Sequence, residues 1–443
     1  MKKYYQLALV IISCVSVVTL LFYRHEYNRL RYVLEVLNFF GKPGVQQTTF
    51  TTNDCIPQNA TFQPKKVLSF AEPLPAWQRL SNAHFVYSAF WEVTEGDARV
   101  RAISVDFGNG VPNFGCSFWF EDREESLPGH FSFSKLETKE INLSKSKIAG
   151  YYLICRAKDA TSVPYGVTFY KTDIVPSKAF IPVYYANEIP VLSNSTAICI
   201  TASPSPGLSK STIAEFLSYH HLVGVTDYII YDGGLPNTVL STLRGSSVQD
   251  VLGLSVSVLP WNFPFPTPQA EVLARIIMEK DCLQRTAGKV HNVAALDWNE
   301  YIVPKYHHLL ASMLEDFDSG RKTTARFEIP TIKFCTEFPD DERAEPGSPL
   351  VFRKTRYSNT GNNERPFYFY RPHLISTGSK DVAALTTQRV SQGIAAVHRY
   401  KSCSQDGQFS EKYHLYEPAM LRFSGDLKRS KLLNAWSSGR LFI

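Results

Sequence analysis

No Gly-x-Gly-x-x-Gly run opens a helix in the 443 residues, and no Gly-x-x-x-x-Gly-Lys-Ser/Thr is present, so dinucleotide binding and P-loop phosphate chemistry lack their backbone cradles. Gly-x-Ser-x-Gly and His-Glu-x-x-His are missing too, which removes the serine-hydrolase elbow and the zinc-protease helix. The net charge is only +6 and the basic residues are scattered, with no polybasic arm. That excludes nucleic acid as a partner. There is no Cys-x-x-Cys pair; the cysteines at 14, 55, 116, 155, 199, 282, 335 and 403 are spread as disulfides, not zinc ligands, would have them. With 44% apolar and 20% charged residues the bulk of the chain is globular, and its length suits roughly two or three domains.

What the sequence does have begins with an uncharged apolar run over residues 7–23, between Lys2 and Lys3 on one side and Arg24, Arg29 and Arg31 on the other. It is long enough for a transmembrane helix and lacks a small-x-small cleavage site, so it predicts a signal anchor after a cytoplasmic tail of residues 1–6. Acceptor sequons at Asn59, Asn142 and Asn194, with seven cysteines beyond the run, orient the rest toward an oxidising lumen. The expectation is a single-pass type II Golgi membrane protein. Residues 24–76 read as a stem, in which Leu30, Val33, Leu34 and Leu37 give a short helical seam and a homodimer as one expected partner state.

Over residues 77–190 the apolar period is two, with short aromatic and β-branched runs such as those at 84–90, 100–105, 116–120 and 151–155. This predicts a β-sandwich-like domain, with Cys116 and Cys155 bonded to each other. Phe118, Trp119 and Tyr152 are read as core rather than as a sugar-stacking platform.

From 195 to 443 strands and helices alternate: strands at 196–200, 227–232, 254–259 and 293–296, with helices at 208–223 and 268–283. The second helix is expected to turn Val272, Leu273, Ile276, Ile277 and Leu283 inward. Such repeats imply a mostly parallel sheet whose ligands bind at the carboxyl ends of its strands, which puts Asp232 and Asp297 at one rim. Asp297 and Asn299 present two side-chain oxygens, a pattern suited to a hard divalent cation shared with a diphosphate.

The ordered elements then show a likeness. Glu215 to His220, Gly224-Val225, Tyr228 to Asp232, Gln269, Asp281-Cys282, Ala294 to Glu300 and Ala396 to Tyr400 resemble the signature of glycosyltransferase family 92. The resemblance implies a GT-A nucleotide-diphospho-sugar transferase domain of the animal branch. It further implies inverting, Mn2+-dependent transfer of galactose from UDP-galactose, in β-linkage, to a glycan acceptor. Asp297, Asn299 and His398 would hold the metal, while Asp232, Tyr231 and Gln269 would meet the donor; by charge type alone, Arg371 or Arg365 would add charge-assisted hydrogen bonds to phosphate. Glu337, Asp340 and Asp341 are general-base candidates by their position in the acceptor half. The neutral Asn299, where the family has a second acidic residue, keeps open an alternative: a non-catalytic glycan-binding membrane protein on a degenerate scaffold.

Overall fold

The computed structural model describes residues 74–437 apart from 95–96, 109–113, 137–140, 144–145, 158–161, 172–177, 186–194, 202–207, 245–252, 266–267, 318–323, 346, 359–366, 377–385 and 405–413. The tail, the anchor, all of the stem before residue 74, Cys55, Asn59 and Asn194 therefore lie outside the described residues. Among the described residues no helix is long and apolar enough to cross a membrane. The single-pass Golgi placement is corrected accordingly and not carried further.

The first sheet takes β1 (Gln78–Arg79), β2 (His84–Thr94), β3 (Asp97–Phe107), β4 (Phe114–Trp119), β5 (Leu127–Lys135), β6 (Ile141–Leu143), β7 (Ser146–Ala157), β8 (Gly166–Lys171) and β9 (Lys178–Tyr184). Its order is β1-β2-β3-β7-β5-β4-β8-β9, and β9 also pairs in parallel with β2, Ala89 opposite Val183 and Phe90 opposite Tyr184. Seven strands thus close into a barrel, which corrects the expected sandwich. The device is β2, an eleven-residue strand with a register shift between Val86 and Ser88. A bulge bends a long strand enough for its two halves to meet different partners. Val100, Phe118, Leu153, Val167, Phe169 and Ile181 fill the interior beside the Cys116–Cys155 disulfide. Phe118 is core as expected, whereas Trp119 points outward and is half-buried.

Four strands, β10 (Thr196–Ile200), β11 (Asp227–Asp232), β12 (Ser255–Pro260) and β13 (Asn292–Leu296), are mutually parallel in the order β12-β11-β10-β13. β10 and β13 are buried throughout, as parallel strands covered on both faces are. Between β10 and β11, Ser209 caps the helix Lys210–Leu222 by accepting the Thr212 N–H at 3.1 Å. Ile213, Phe216, Leu217 and His220 form its buried face at helical spacing. Gly224, at φ +97°, turns the chain out of this helix toward β11, a conformation that suits glycine.

The alternation ends there. After Leu296 the chain turns within three residues into β14 (Glu300–Pro304) instead of entering a helix. The remaining strands are β15 (Thr324–Ile329), β16 (Thr331–Cys335), β17 (Arg356–Ser358), β18 (Phe367–Tyr370), β19 (Thr386–Arg389), β20 (Ala395–Lys401) and β21 (His414–Tyr416). β18, β15 and β19 extend the parallel strands in mixed sense, and β14-β20-β16-β17-β21 form a separate five-stranded sheet. The described chain is mostly β with few helices, so the expected α/β GT-A architecture is corrected as well.

The long helix Pro268–Thr286 joins barrel and parallel strands. Leu273, Ala274, Ile277 and Met278 share one hydrophobic cluster with Tyr87, Phe90, Val105 and Ile148 of the barrel, while Val272 faces solvent, against expectation. Inside this contact Asp281 accepts hydrogen bonds from Ser88 at 2.5 Å and from Tyr231 at 2.6 Å, and pairs with Arg285 at 2.6 Å. Two further disulfides, Cys199–Cys282 and Cys335–Cys403, fasten β10 to the long helix and β16 to the segment after β20.

Candidate active site

The parallel strands point their carboxyl ends at one rim. Thr201 follows β10, Asp232 ends β11 and Asp297 follows β13, and because β10 lies between the other two, Thr201 sits between the acids. The Thr201 N–H donates to Leu296 O at 2.9 Å and its hydroxyl donates to Asp297 Oδ1. Arg275, on the long helix, donates to Asp297 Oδ2 through one nitrogen and to Glu300 Oε2 at 2.9 Å through another. Glu300 Oε2 also accepts the Asp297 N–H at 2.9 Å, and Oε1 accepts Arg399 Nε at 2.8 Å. Two carboxylates and two guanidiniums thus form one cluster of balanced charge.

Exposure separates their roles. The Glu300 side chain is 1% exposed and the Asp297 side chain 18%, so Asp297 is the carboxylate that reaches the rim. Burial would raise Glu300, but Arg275 and Arg399 outweigh it and hold that carboxyl below its usual range. Asp297 is shifted upward, by burial first and then by the charge of Glu300, against the pull of Arg275.

At the neighbouring strand end Asp232 Oδ1 accepts the N–H groups of Gly234 at 3.0 Å and Leu235 at 2.9 Å, with Arg244 at 4.0 Å from Oδ2. Of the other residues expected to meet the donor, Tyr231 is buried with its hydroxyl on Asp281, and Gln269 lies in the first turn of the long helix with its side chain outside the described residues. Arg371 follows β18, which runs antiparallel to β13 with Tyr370 opposite Val293. It therefore sits toward the amino end of β13, level with Asn292 and about 16 Å from Asp297 at the rim by strand rise. Its N–H bonds to Ala325 O and its guanidinium lies over Phe327. Arg365 lies outside the described residues.

The expected metal ligands do not converge. His398 pairs with Tyr301 across β20 and β14, as Arg399 does with Glu300. Alternation along a strand sends His398 and Arg399 to opposite faces. His398 is buried against Phe334, 4.5 Å between ring centroids, with Nε2 unpartnered, while Arg399 faces the Asp297 cluster. Asn299 donates its amide to Tyr400 O at 3.0 Å. A divalent cation beside Asp297 would also meet the Arg275 guanidinium already seated on that carboxylate, and like charges at such range repel strongly. The residues present therefore do not fit the implied Mn2+, and no step is assigned to it. Among the described residues Cys335, Glu337 and Cys403 lie close enough together to suggest a metal group, but their two sulfurs are joined in a disulfide.

The three expected bases are each held by neighbours. Glu337 binds the Ser402 hydroxyl at 2.6 Å and the N–H groups of Cys403 and Ser404; although burial opposes it, these bonds draw its carboxyl down to about 2. Asp340 is lowered by Lys354, then Arg353, each at 2.8 Å. Asp341, despite some burial, is lowered by Thr355 at 2.7 Å and by Arg343. No sequence motif singles out Arg275 or Thr201, and Arg399 stands within the Ala396 to Tyr400 element without an expected role. Arg275 could have been noticed as a cation flanked by Leu273, Ala274, Ile276 and Ile277.

No curated protein matches the chain. A family model does: it covers residues 198–419, from within β10 to just past β21, and so takes in every member of the rim cluster. On that match the chain belongs to glycosyltransferase family 92.

Proposed function

We propose that this glycosyltransferase moves galactose from UDP-galactose to a glycan hydroxyl, with inversion to a β-linkage and without a bound divalent cation. The sugar and stereochemistry rest on the family resemblance. The observation that supports the location is the Thr201–Asp297–Arg275–Glu300–Arg399 cluster at the carboxyl rim, inside the matched region. Asp297 accepts hydrogen bonds from donor hydroxyls. Arg275 and Arg244, at neighbouring points of the rim, offer N–H groups to the diphosphate, and charge-assisted bonds of this kind stabilise UDP as it leaves. Glu300 acts through Arg275, fixing its guanidinium from beneath.

The test is UDP release and product analysis with a panel of UDP-sugars and acceptor glycans, in chelator and in Mn2+. The expected result is fastest turnover with UDP-galactose, a β-linked product, and activity that survives chelation. Strict dependence on added Mn2+ would overturn the cation-free part. UDP binding with no turnover on any acceptor would favour the non-catalytic glycan-binding alternative.

A further inference from the structure

The outer wall of the barrel carries a half-open hollow of about 440 Å3 lined by Ser117, Trp119, Ser126, Thr168, Tyr170 and Phe180. That volume falls within the roughly 300–1,000 Å3 of small-molecule sites. Strand register builds it in rows: Gly115 opposite Tyr170, then Ser117 opposite Thr168 opposite Phe180, then Trp119 opposite Gly166. Two glycines shape the walls. A Cβ at Gly115 would fall 2.3 Å from the Tyr170 ring, and one at Gly166 would fall 2.3 Å from the Phe180 ring, so both rings lie down in space that a side chain would fill. Phe180 is 39% exposed, and Trp119 stands 6.4 Å from it, edge to face. The Trp119 N–H donates to Thr168 Oγ1 at 2.6 Å, which fixes the indole at the edge of a floor of hydroxyls.

We infer that this hollow binds a neutral pyranose of a glycan, at a site separate from the transfer rim. Rings lying flat present a π face, whose negative quadrupole attracts the polarised C–H face of a sugar. The Ser117, Ser126 and Thr168 hydroxyls sit where a sugar's equatorial hydroxyls need partners that both donate and accept. No lining residue is charged, which selects a neutral sugar over a sialylated or phosphorylated one. The strands that form the hollow precede residue 198 and lie outside the matched catalytic region, so the site is an addition to the transferase machinery.

The probe is a neutral galactose-terminated oligosaccharide, titrated against the full chain by calorimetry and by tryptophan fluorescence, with a sialylated counterpart as control. The expected result is millimolar-or-better binding of the neutral glycan alone. Phe180→Ser and Tyr170→Ser should each weaken it roughly tenfold or more, about 1.4 kcal/mol per decade. Ser117→Arg, which fills the hollow without removing an aromatic, should abolish binding while melting stays unchanged. Binding must persist in Asp297→Asn, which separates this site from the rim and makes its failure distinguishable from failure of the transfer reading. No binding by the unmodified chain, or unchanged affinity in all three hollow variants, would overturn the inference, as would equal binding of the sialylated glycan.

Discussion

Glu300 and Arg399 stand directly opposite one another across β14 and β20, with Arg399 Nε 2.8 Å from Glu300 Oε1. This pairing fixes which face of the third sheet meets the rim, and therefore which face His398 does not meet. It also leaves Arg275 as the shared partner of both carboxylates, at the place where a metal had been expected.

Arg275→Met removes the cation between two carboxylates and leaves Glu300 buried with Arg399 alone. Breaking a buried pair in this way costs about 3–5 kcal/mol. Arg275→Lys recovers only part, since one ammonium cannot reproduce the forked contacts to Asp297 and Glu300. Urea denaturation of both variants checks the order, and equal stability of the two would contradict it.

His398→Phe distinguishes a core histidine from a metal ligand. Burial, with Lys305 adding to it, lowers the ring of His398 to about 3, and burial lowers His220 to about 3 as well. A depressed histidine contributes stability above its unfolded value near 6.5 that is lost as pH falls toward 3. The variant should therefore unfold at lower pH than the unmodified chain and keep its turnover. Loss of turnover with intact folding would show that His398 meets the reacting groups.

Glu215 shows the opposite sign. Burial, only partly opposed by Arg353, pushes its carboxyl up to about 7. Its protonated form is favoured in the fold, so its stability contribution is complete below about 4.5 and is lost as pH rises through 7. Glu215→Gln should be more stable than the unmodified chain by about 2–3 kcal/mol at pH 8, with little difference at pH 4. Denaturation at the two pH values gives the comparison.

Replacing Cys199 and Cys282 together by Ala opens a loop of 83 residues. The loop-closure argument puts the loss at about 4.5 kcal/mol, an amount that calorimetry or denaturant titration resolves. A far smaller loss would mean that the packing of β10 against the long helix holds that loop closed unaided.

The parallel strands were legible because sheets covered on both faces need apolar runs such as Thr196–Ile200. The Cys116–Cys155 bridge followed from two cysteines in strand-like runs. Barrel closure was not legible, since it depends on Phe90 meeting Tyr184 nearly a hundred residues away, and alternation alone reads equally well as a sandwich. The alternation read from 195 onward stops at Leu296, where the chain turns straight into β14, and the GT-A expectation, which the family resemblance implied, fails with it. Asp297 was found at its strand end, but its partner Arg275 was not, because spacing within one segment says nothing about a helix packed beside it. His398 was misplaced for a related reason: its face is set by the Tyr301 register, not by its neighbours in sequence.

The most direct test is the rate of sugar transfer from UDP-galactose by Asp297→Asn, measured beside the unmodified chain with melting temperature as the folding control. Transfer centred on this carboxylate predicts a loss of at least about a hundredfold in kcat/KM, near 2.7 kcal/mol of transition-state stabilisation, with the fold retained. Unaltered turnover in a folded variant would contradict it.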